Sequence, residues 1–396
     1  MKKKVLAALL CAAMGATLLA GCGNNASEGG ASNAGGTEAA GTSTSDEGET
    51  IKIGVELYDP SDDQCLAMQK YFDYLEENMN IEFVYSEALA DASAELDFIN
   101  SCASAGCQGI IGYYNVAEGE AVQAAIDKGM YYWGTEAIYE QFKDNDHYVG
   151  CYTHSTGETE ESGDFLGGYE LAYSLGKAGV KHVFYCNGGA SMGIPMFVDR
   201  QNGFLAGIEA AQKDGYEIQY DPEADVVEGW PDSPDFASAV GAKIAGDYDG
   251  AAASFNAAAL FQPLGEAGKL GTGEFKLATI GEVCDTYLDF VDSQTVASVV
   301  YDCEEIMFGN SVVELVNAIK GNRLTNADGT ALKILAHRWT VTDPAVYHAI
   351  YDFHEAGNFF VSADDIKTLT ADGVTGQQVY DFYAALDMDT AALMIK

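Results

Sequence analysis

Residues 181–208, KHVFYCNGGASMGIPMFVDRQNGFLAGI, have the pattern of a strand followed by a glycine-rich loop and a helix. The apolar run 183–186 has the length of a strand, and the Asn-Gly-Gly at 187–189 favours a turn. Pro195 suits the first turn of a helix, where a missing N–H costs nothing. The apolar positions that follow share one helical face: Phe197, Phe204, Ile208 and Ala211. This stretch therefore predicts a strand, a loop and a helix of an open α/β sheet.

Arg200 lies on this predicted helix and is one of three arginines in the 396-residue sequence, with Arg323 and Arg338. Open α/β sheets bind ligands at the carboxyl ends of their strands. A guanidinium close to such a strand end therefore indicates a ligand contact. The alternative, a surface arginine on an amphipathic helix, is equally compatible with the sequence.

Apolar runs of strand length alternate with helical periodicity through most of the chain. In the first half, predicted strands cover 51–55, 81–85, 108–113, 130–134 and 148–152, and predicted helices lie around 65–79, 96–103 and 122–126. In the second half, predicted strands cover 183–186, 250–255, 275–280 and 296–301, and helices lie around 165–172, 195–211, 236–245 and 312–319. This alternation is typical of βαβ units with a parallel sheet. Two successive halves predict an α/β protein of two lobes with a cleft between them.

The end of the chain is less regular. Residues 332–341 read as a strand, and residues 344–353 read as a helix that begins at Pro344. Residues 357–396 show no pattern that indicates a role.

The chain is strongly acidic, with 20 Lys and Arg against 61 Asp and Glu, which gives a net charge of −41. Such a chain is repelled by nucleic acid and by anionic lipid, so nucleic acid is excluded as a partner. The sequence also lacks a P-loop and an HExxH metal motif. We therefore predict no catalytic residues, no metal and no cofactor.

Residues 1–22 have the order of features of a bacterial lipoprotein signal: three lysines at 2–4, an apolar run over 5–19, and small residues before Cys22. This resemblance implies that Cys22 is lipidated and becomes the new N-terminus. An ordinary cleaved signal peptide is the alternative. Residues 23–50 are Gly, Ser, Thr, Ala, Asn and acidic residues without an aromatic, which predicts a flexible tether. The protein is thus expected on the extracytoplasmic face of the cell membrane.

Seven cysteines lie beyond this signal: Cys65, Cys102, Cys107, Cys151, Cys186, Cys284 and Cys303. Their number is odd, no CxxC pair occurs, and several sit in apolar runs, where a free cysteine behaves as a small hydrophobic residue. Cys102 and Cys107 form the one close pair, and we do not expect a disulfide between them.

Five short stretches, in this order and spacing, carry a family resemblance. They are the opening strand IKIGV at 51–55, CQGII at 107–111, RQNGF at 200–204, Lys320-Gly321 at the end of a helix, and VTD at 341–343. RQNGF matches an Arg-x-x-Gly-Phe pattern. From about residue 51 to 343 the chain resembles the type I periplasmic binding proteins of the ribose- and galactose-binding kind, which are the substrate-binding subunits of ABC importers.

The resemblance implies two Rossmann-like lobes with parallel sheets, joined by a hinge of three chain crossings near 151–152, 301–302 and 335–339. It divides the chain into a first lobe, 51–151 with 303–334, and a second lobe, 152–302 with 335–396. It also implies a monomeric, non-enzymatic protein that captures a small polar solute, most readily a sugar or polyol, between its lobes. The closed form is then read by the membrane permease.

The resemblance places the ligand site at the strand ends that face the cleft. The predicted ligand-binding residues are Tyr58, Asp59, Tyr114, Asn115 and Glu136 in the first lobe, and Arg200, Asn256, Glu282, Asp285 and Asp302 in the second. Because adjacent strand residues point opposite ways, one of Tyr113 and Tyr114 is expected in the core. Asp59 has an alternative role in shaping the turn around Pro60.

Two departures from the ribose-binding pattern leave the ligand open. Asp302 stands where that pattern has a glutamine, and the asparagine and paired phenylalanines that follow the family's first strand are missing from residues 58–63. Acidic candidates outnumber the single arginine, so a cationic solute or a nucleoside stays possible. Two other functions also stay open: a surface-anchored glycoside hydrolase that uses paired cleft carboxylates, and a sensor without transport.

Overall fold

The computed structural model describes residues 50–114, 116–135, 138–154, 162–231, 233 and 235–395. The predicted signal with Cys22, the tether as far as residue 49, Asn115 and Glu136 lie outside the described residues. Within the described ranges, no helix is both long and apolar enough to cross a lipid bilayer.

The strands, numbered along the chain, are β1 (Ile51–Leu57), β2 (Ile81–Ala88), β3 (Gly109–Gly112), β4 (Tyr131–Gly134), β5 (Tyr148–Thr153), β6 (Val183–Cys186), β7 (Val226–Val227), β8 (Gly250–Ala253), β9 (Lys276–Gly281), β10 (Val296–Tyr301), β11 (Leu332–Leu335) and β12 (Trp339–Val341). The α-helices are α1 (Asp63–Asn78), α2 (Ala92–Ala105), α3 (Gly119–Asp127), α4 (Gly163–Lys177), α5 (Pro195–Lys213), α6 (Phe236–Ile244), α7 (Phe261–Glu266), α8 (Leu288–Asp292), α9 (Glu304–Ile319), α10 (Pro344–Glu355), α11 (Ala363–Leu369), α12 (Gly376–Ala384) and α13 (Met388–Met394). Three short 3₁₀ turns lie among these described elements.

Two sheets form the two lobes. In the described residues each has six strands, in the orders β2-β1-β3-β4-β5-β11 and β7-β6-β8-β9-β10-β12. All neighbours are parallel except β12, which is antiparallel to β10. The first five strands of both sheets repeat the doubly wound order 2-1-3-4-5. The prediction of two Rossmann-like lobes with parallel sheets is therefore confirmed.

The stretch that predicted this fold forms the first βα unit of the second lobe. All four residues of β6 are buried, as expected of a strand with both faces covered. The loop turns at Gly188, whose φ of 59° lies in the left-handed region. Helix α5 begins at Pro195 and buries the apolar face that the sequence predicted.

Helices α4 and α5 pack backbone to backbone because glycines line their contact. A Cβ at Gly203 would lie 1.8 Å from the Phe165 carbonyl oxygen, and one at Gly168 would lie 1.9 Å from the Arg200 carbonyl oxygen. This close approach fixes the start of α5, and with it Arg200, against the start of α4.

The chain passes between the lobes at three places near those that the resemblance implied. It leaves β5 of the first sheet for α4, and it leaves β10 of the second sheet for α9, which packs on β4 and β5. The predicted strand 332–341 is in fact two strands: β11 belongs to the first sheet and β12 to the second. The third crossing lies between them. Strand β7 was not predicted, because two residues show no periodicity.

The described chain also makes a fourth crossing. Helix α10 packs on α8 and β12 of the second lobe, whereas α11 packs on α1 and α9 and α12 packs on β11 and α9. The predicted division placed 335–396 in the second lobe, and the structure differs from it beyond residue 356. The physical reason is aromatic packing on the first lobe: the Phe359 ring centre lies 4.6 Å from that of Tyr74 on α1.

We predict that Gly203→Ala lowers the free energy of unfolding by about 3 kcal/mol or more, because its methyl group would overlap a backbone oxygen that cannot move alone. Gly241→Ala is the matched control, since a Cβ there meets nothing within 4 Å on helix α6. It is expected to raise the free energy of unfolding by about 0.5–1 kcal/mol. Equilibrium urea unfolding measures both. Equal stability of Gly203→Ala and the unsubstituted protein would contradict the close packing of α4 and α5.

Candidate ligand-binding cleft

Aromatic side chains gather where β1 and β3 of the first lobe end. Tyr58 follows β1, and Tyr113 and Tyr114 follow β3, the neighbouring strand. The Tyr58 ring centre lies 5.8 Å from that of Tyr113 and 5.5 Å from that of Tyr114. As the alternation argument predicted, one of the two packs on the core: the Tyr113 ring centre lies 4.8 Å from that of the buried Phe308, whereas Tyr114 is 41% exposed. Both rings nevertheless contact Tyr58 at this edge.

Polar side chains gather at the matching edge of the second lobe. Asn256 follows β8, Glu282 follows β9 directly, and Asp302 follows β10 directly. Strands β8, β9 and β10 are parallel neighbours, so their carboxyl ends lie side by side. The Asp302 N–H donates to the Gly281 carbonyl oxygen at 3.2 Å, which fixes Glu282 beside Asp302.

A hydrogen bond joins the two edges. The Asn256 side-chain Nδ2 donates to Asp63 Oδ2 at 3.0 Å, and Asp63 belongs to the first lobe. The amide oxygen of Asn256 accepts from the Tyr287 hydroxyl at 2.5 Å and from the Ala258 N–H at 2.9 Å. The carboxyl ends of both sheets therefore face each other, and Asn256 joins them.

The cleft is rich in carboxylates. Burial, followed by the negative charges of Asp62, Asp302 and Asp63, raises the pKa of Glu282 well above its usual range. Burial and the charge of Glu282 raise the pKa of Glu304 in the same way. A carboxylate in this position exerts a strong electrostatic pull on a proton or another cation.

Arg200, the first predicted ligand contact, lies in a buried ion pair. Its Nε donates to Asp164 Oδ1 at 2.8 Å and its Nη1 donates to the Ser254 carbonyl oxygen at 2.7 Å. Burial alone would raise the pKa of Asp164, but the charges of Arg200 and Arg338 outweigh burial and lower that pKa to about 2. Two of the guanidinium nitrogens thus hold the protein together. A ligand contact by Arg200 stays a prediction.

Asp302 is held by Arg338, which the sequence analysis did not assign to the site. Arg338 Nε donates to Asp302 Oδ1 at 2.5 Å, and its Nη1 donates to the Gly163 carbonyl oxygen at 2.7 Å and to Asp164 at 3.3 Å. His154 Nδ1 donates to the Ala336 carbonyl oxygen at 2.7 Å. Burial and then the charge of Arg338 lower the pKa of His154 to about 4, so its ring is neutral at pH 7.

We call these five groups the hinge network: His154, Asp164, Arg200, Asp302 and Arg338. They come from all three predicted crossings and from helices α4 and α5. Arg338 lies in the third crossing, and no short-range pattern in the sequence indicated its partners.

The remaining predicted residues divide between the cleft and its surroundings. Asp285 is exposed beside the cleft, close enough for its charge to raise the pKa of Asp63. Asp59 is exposed and its Oδ1 accepts from the Ser61 N–H at 2.9 Å and from the Ser61 hydroxyl at 2.7 Å. Asp59 therefore has the alternative, turn-shaping role in the structure. Sequence reasoning missed Asp62 and Asp63, which the N-terminus of α1 presents.

We predict that Arg200→Ala destabilises the unliganded protein by about 3 kcal/mol or more, because it removes one of the two cations that hold the buried Asp164 carboxylate. Lys181→Ala is the control, since Lys181 pairs with Glu217 at an exposed site and its loss is expected to change little. Urea unfolding without ligand measures both variants. Normal stability of Arg200→Ala combined with a loss of ligand binding would instead support the ligand contact that the sequence indicated.

Solved structures share this fold at low sequence identity. An ABC transporter solute-binding protein from Bacillus halodurans with bound myo-inositol matches with a TM-score of 0.57 and 17% identity, over 78% of this chain and 99% of that chain. A periplasmic solute-binding protein from Actinobacillus succinogenes with bound D-allose matches with a TM-score of 0.57 and 13% identity, over 75% of this chain and 99% of that chain. The transcription regulator CcpA of Lactococcus lactis matches with a TM-score of 0.54 and 14% identity, over 74% of this chain and 98% of that chain.

No family model matches the sequence, and no curated protein matches it. The structural matches nevertheless cover about three quarters of this chain and nearly the whole of each matched chain. The chain therefore has the two-lobed fold of the type I periplasmic binding proteins, as its sequence resemblance predicted.

Proposed function

We propose that this protein is the substrate-binding lipoprotein of an ABC importer and captures a small polar solute, a sugar or polyol, between its lobes. The observation that carries this proposal is the contact of Asn256 with Asp63, where the carboxyl ends of the two sheets face each other. In open α/β sheets this edge is the ligand-binding edge. The fold by itself is not sufficient, because a transcription regulator shares it.

Three further features support a solute-binding role. The solved solute-binding proteins of this fold have bound myo-inositol and D-allose. The first-lobe edge offers aromatic faces, from Tyr58 and Tyr114, that suit the apolar face of a sugar ring. The second-lobe edge offers Asn256, whose side-chain NH2 group has a second N–H, beyond the one donated to Asp63, to give to a solute hydroxyl.

The proposed ligand contacts are a subset of the predicted residues, with three additions. Tyr58, Tyr114, Asn256, Glu282 and Asp285 border the cleft, and Asn115 and Glu136 remain proposed contacts. The additions are Asp62, Asp63 and Tyr113. Arg200 and Asp302 act through the hinge network and position the second-lobe edge.

Capture follows from lobe closure. A solute that touches both edges stabilises the closed form by the difference between its affinities for the closed and the open forms. The hinge network keeps the crossings in place, while the contact between Asn256 and Asp63 breaks when the lobes open. The ABC permease then recognises the closed form. No covalent step is involved, and the solute leaves unchanged.

The proposed location follows from the N-terminal sequence. A lipid on Cys22 anchors the protein to the extracytoplasmic face of the cell membrane, and the tether over 23–50 separates the lobes from that surface.

We predict that at least one compound in a panel of sugars, polyols, nucleosides and amines raises the thermal unfolding midpoint of the protein in a saturable way. A ligand that binds only the folded state stabilises it in proportion to the logarithm of its concentration. Differential scanning fluorimetry measures the shift, and chromatography of the recovered compound tests for turnover. No shift across the panel, or conversion of the compound to product, would contradict the proposed function.

Two variants test whether the compound that stabilises the protein binds in the cleft. Asn256→Ala is expected to weaken its affinity by about tenfold, since it leaves the polar groups of the cleft unpaired. Asn202→Ala is the matched control, because Asn202 is exposed on α5. Equal affinities of the two variants would place the binding site elsewhere.

We predict that Cys22→Ala moves the protein from the membrane fraction to the soluble fraction of the cell that makes it. The sulfur atom of the cysteine receives the lipid, and the alanine side chain has no nucleophilic atom. Fractionation and immunoblotting measure the distribution. Tight membrane association of Cys22→Ala would contradict the lipid anchor without affecting the solute-binding proposal.

A further inference from the structure

The hinge network is balanced in charge. Arg200 and Arg338 provide two positive charges, and Asp164 and Asp302 provide two negative charges. His154 is neutral, because burial and the charge of Arg338 lower its pKa to about 4. The network therefore has no positive charge left over for the carboxylates of the cleft.

The cleft itself holds an excess of acidic groups over basic groups. Five carboxyl groups lie at or beside the facing edges: Asp62, Asp63, Glu282, Asp285 and Glu304. Each ion pair within the described part of the chain involves other acidic residues, so none of these five has a cationic partner there. Exposed acidic clusters are common in so acidic a chain, but Glu282 and Glu304 are buried.

Glu304 adds a buried carboxyl oxygen without a donor beside these groups. It is 3% exposed, and its Oε1 accepts no hydrogen bond from any described residue. It begins helix α9 directly after the second crossing, within range of the charges of Glu282 and Asp302. A buried carboxylate oxygen without a donor costs about 1–3 kcal/mol of stability, and proteins keep such a group where a ligand or a proton satisfies it.

A protonated amine satisfies this arrangement best. An ammonium group has three donors and no acceptor, which matches neighbouring carboxylates that have acceptors and no donors. Its charge also offsets the repulsion among the carboxylates, which a neutral hydroxyl group does not. The rings of Tyr58, Tyr113 and Tyr114 lie at the same edge and offer π faces to a cation.

We propose that the cleft selects a hydroxylated solute that carries a protonated amine, such as an amino sugar, and that Glu282 and Asp63 contact the ammonium group. This inference rests on the proposed solute-binding function and names the chemistry of its ligand. Hydroxyl groups of the same solute are left to Asn256 and the tyrosines.

The test compares matched ligands that differ in charge. D-glucosamine, D-galactosamine and D-mannosamine are compared with D-glucose, D-galactose and D-mannose and with the three N-acetyl hexosamines, at a pH below the pKa of the amines. Isothermal titration calorimetry with the full mature chain measures each affinity. At least one hexosamine is expected to bind about tenfold or more tightly than its neutral parent and its N-acetyl form, since a hydrogen bond to a charged group is worth that factor.

Two variants assign the preference to the cleft carboxylates. Glu282→Gln removes a charge and keeps the shape, so the advantage of the hexosamine over its neutral parent is expected to fall about tenfold. Asp63→Asn is the second variant, in case Glu282→Gln fails to fold. Glu209→Gln is the control, because it removes one negative charge from an exposed position on α5. A loss of preference in the control equal to that in Glu282→Gln would show that net charge alone is responsible.

The outcomes separate this inference from the proposed function. Neutral sugars that bind as tightly as the hexosamines overturn the amine preference and leave solute binding intact. Binding of 1,4-diaminobutane without binding of any hexosamine overturns the inference that the solute carries hydroxyl groups as well as an amine. No binding in this set also overturns the inference, and the broader panel then decides whether the protein binds a solute at all.

Discussion

The carboxylate of Asp164 holds two guanidinium groups, with Arg200 at 2.8 Å and Arg338 at 3.3 Å, and the arrangement of the lobes depends on it. Arg338 lies in the third crossing and also binds Asp302 at the second, at 2.5 Å. His154 at the first crossing binds a carbonyl of the third. Because all these groups are buried, a crossing that moved alone would leave a charge without a partner, at a cost of several kcal/mol. The three crossings therefore move as one unit.

This constraint separates the parts of the molecule that stay from those that move. Under the proposed function, the hinge network keeps its contacts while the lobes rotate about it. The hydrogen bond of Asn256 to Asp63, by contrast, spans the cleft and exists only when the lobes are close. Glu282 belongs to both parts, since it follows β9 beside Asp302 and faces Asp62 and Asp63 of the other lobe. Closure removes water from its carboxyl group, so closure and the charge of the bound solute are coupled.

The sequence predicted the fold well because the strands are wholly buried apolar runs, such as 183–186, separated by helical periodicity. It also predicted which residues follow the strands, and Tyr58, Asn256 and Glu282 lie at the cleft. It did not predict what each side chain contacts. Arg200 meets Asp164, which lies 36 residues earlier in the chain, and no periodicity reports such a pairing. The second-lobe assignment of the C-terminal residues differs from the structure for a similar reason, because Phe359 and Phe360 find their partners on distant elements.

The fourth crossing adds a connection between the lobes. Phe359 and Phe360 pack against aromatic rings of both lobes, and the buried pair of His354 with Glu305, at 2.8 Å, joins α10 to α9. The acidic groups of the cleft act in the opposite sense, because bringing the facing edges together removes their water and brings like charges closer. Under the proposed function, a cationic solute removes that opposition, and its differential affinity for the closed form sets the population that a permease meets.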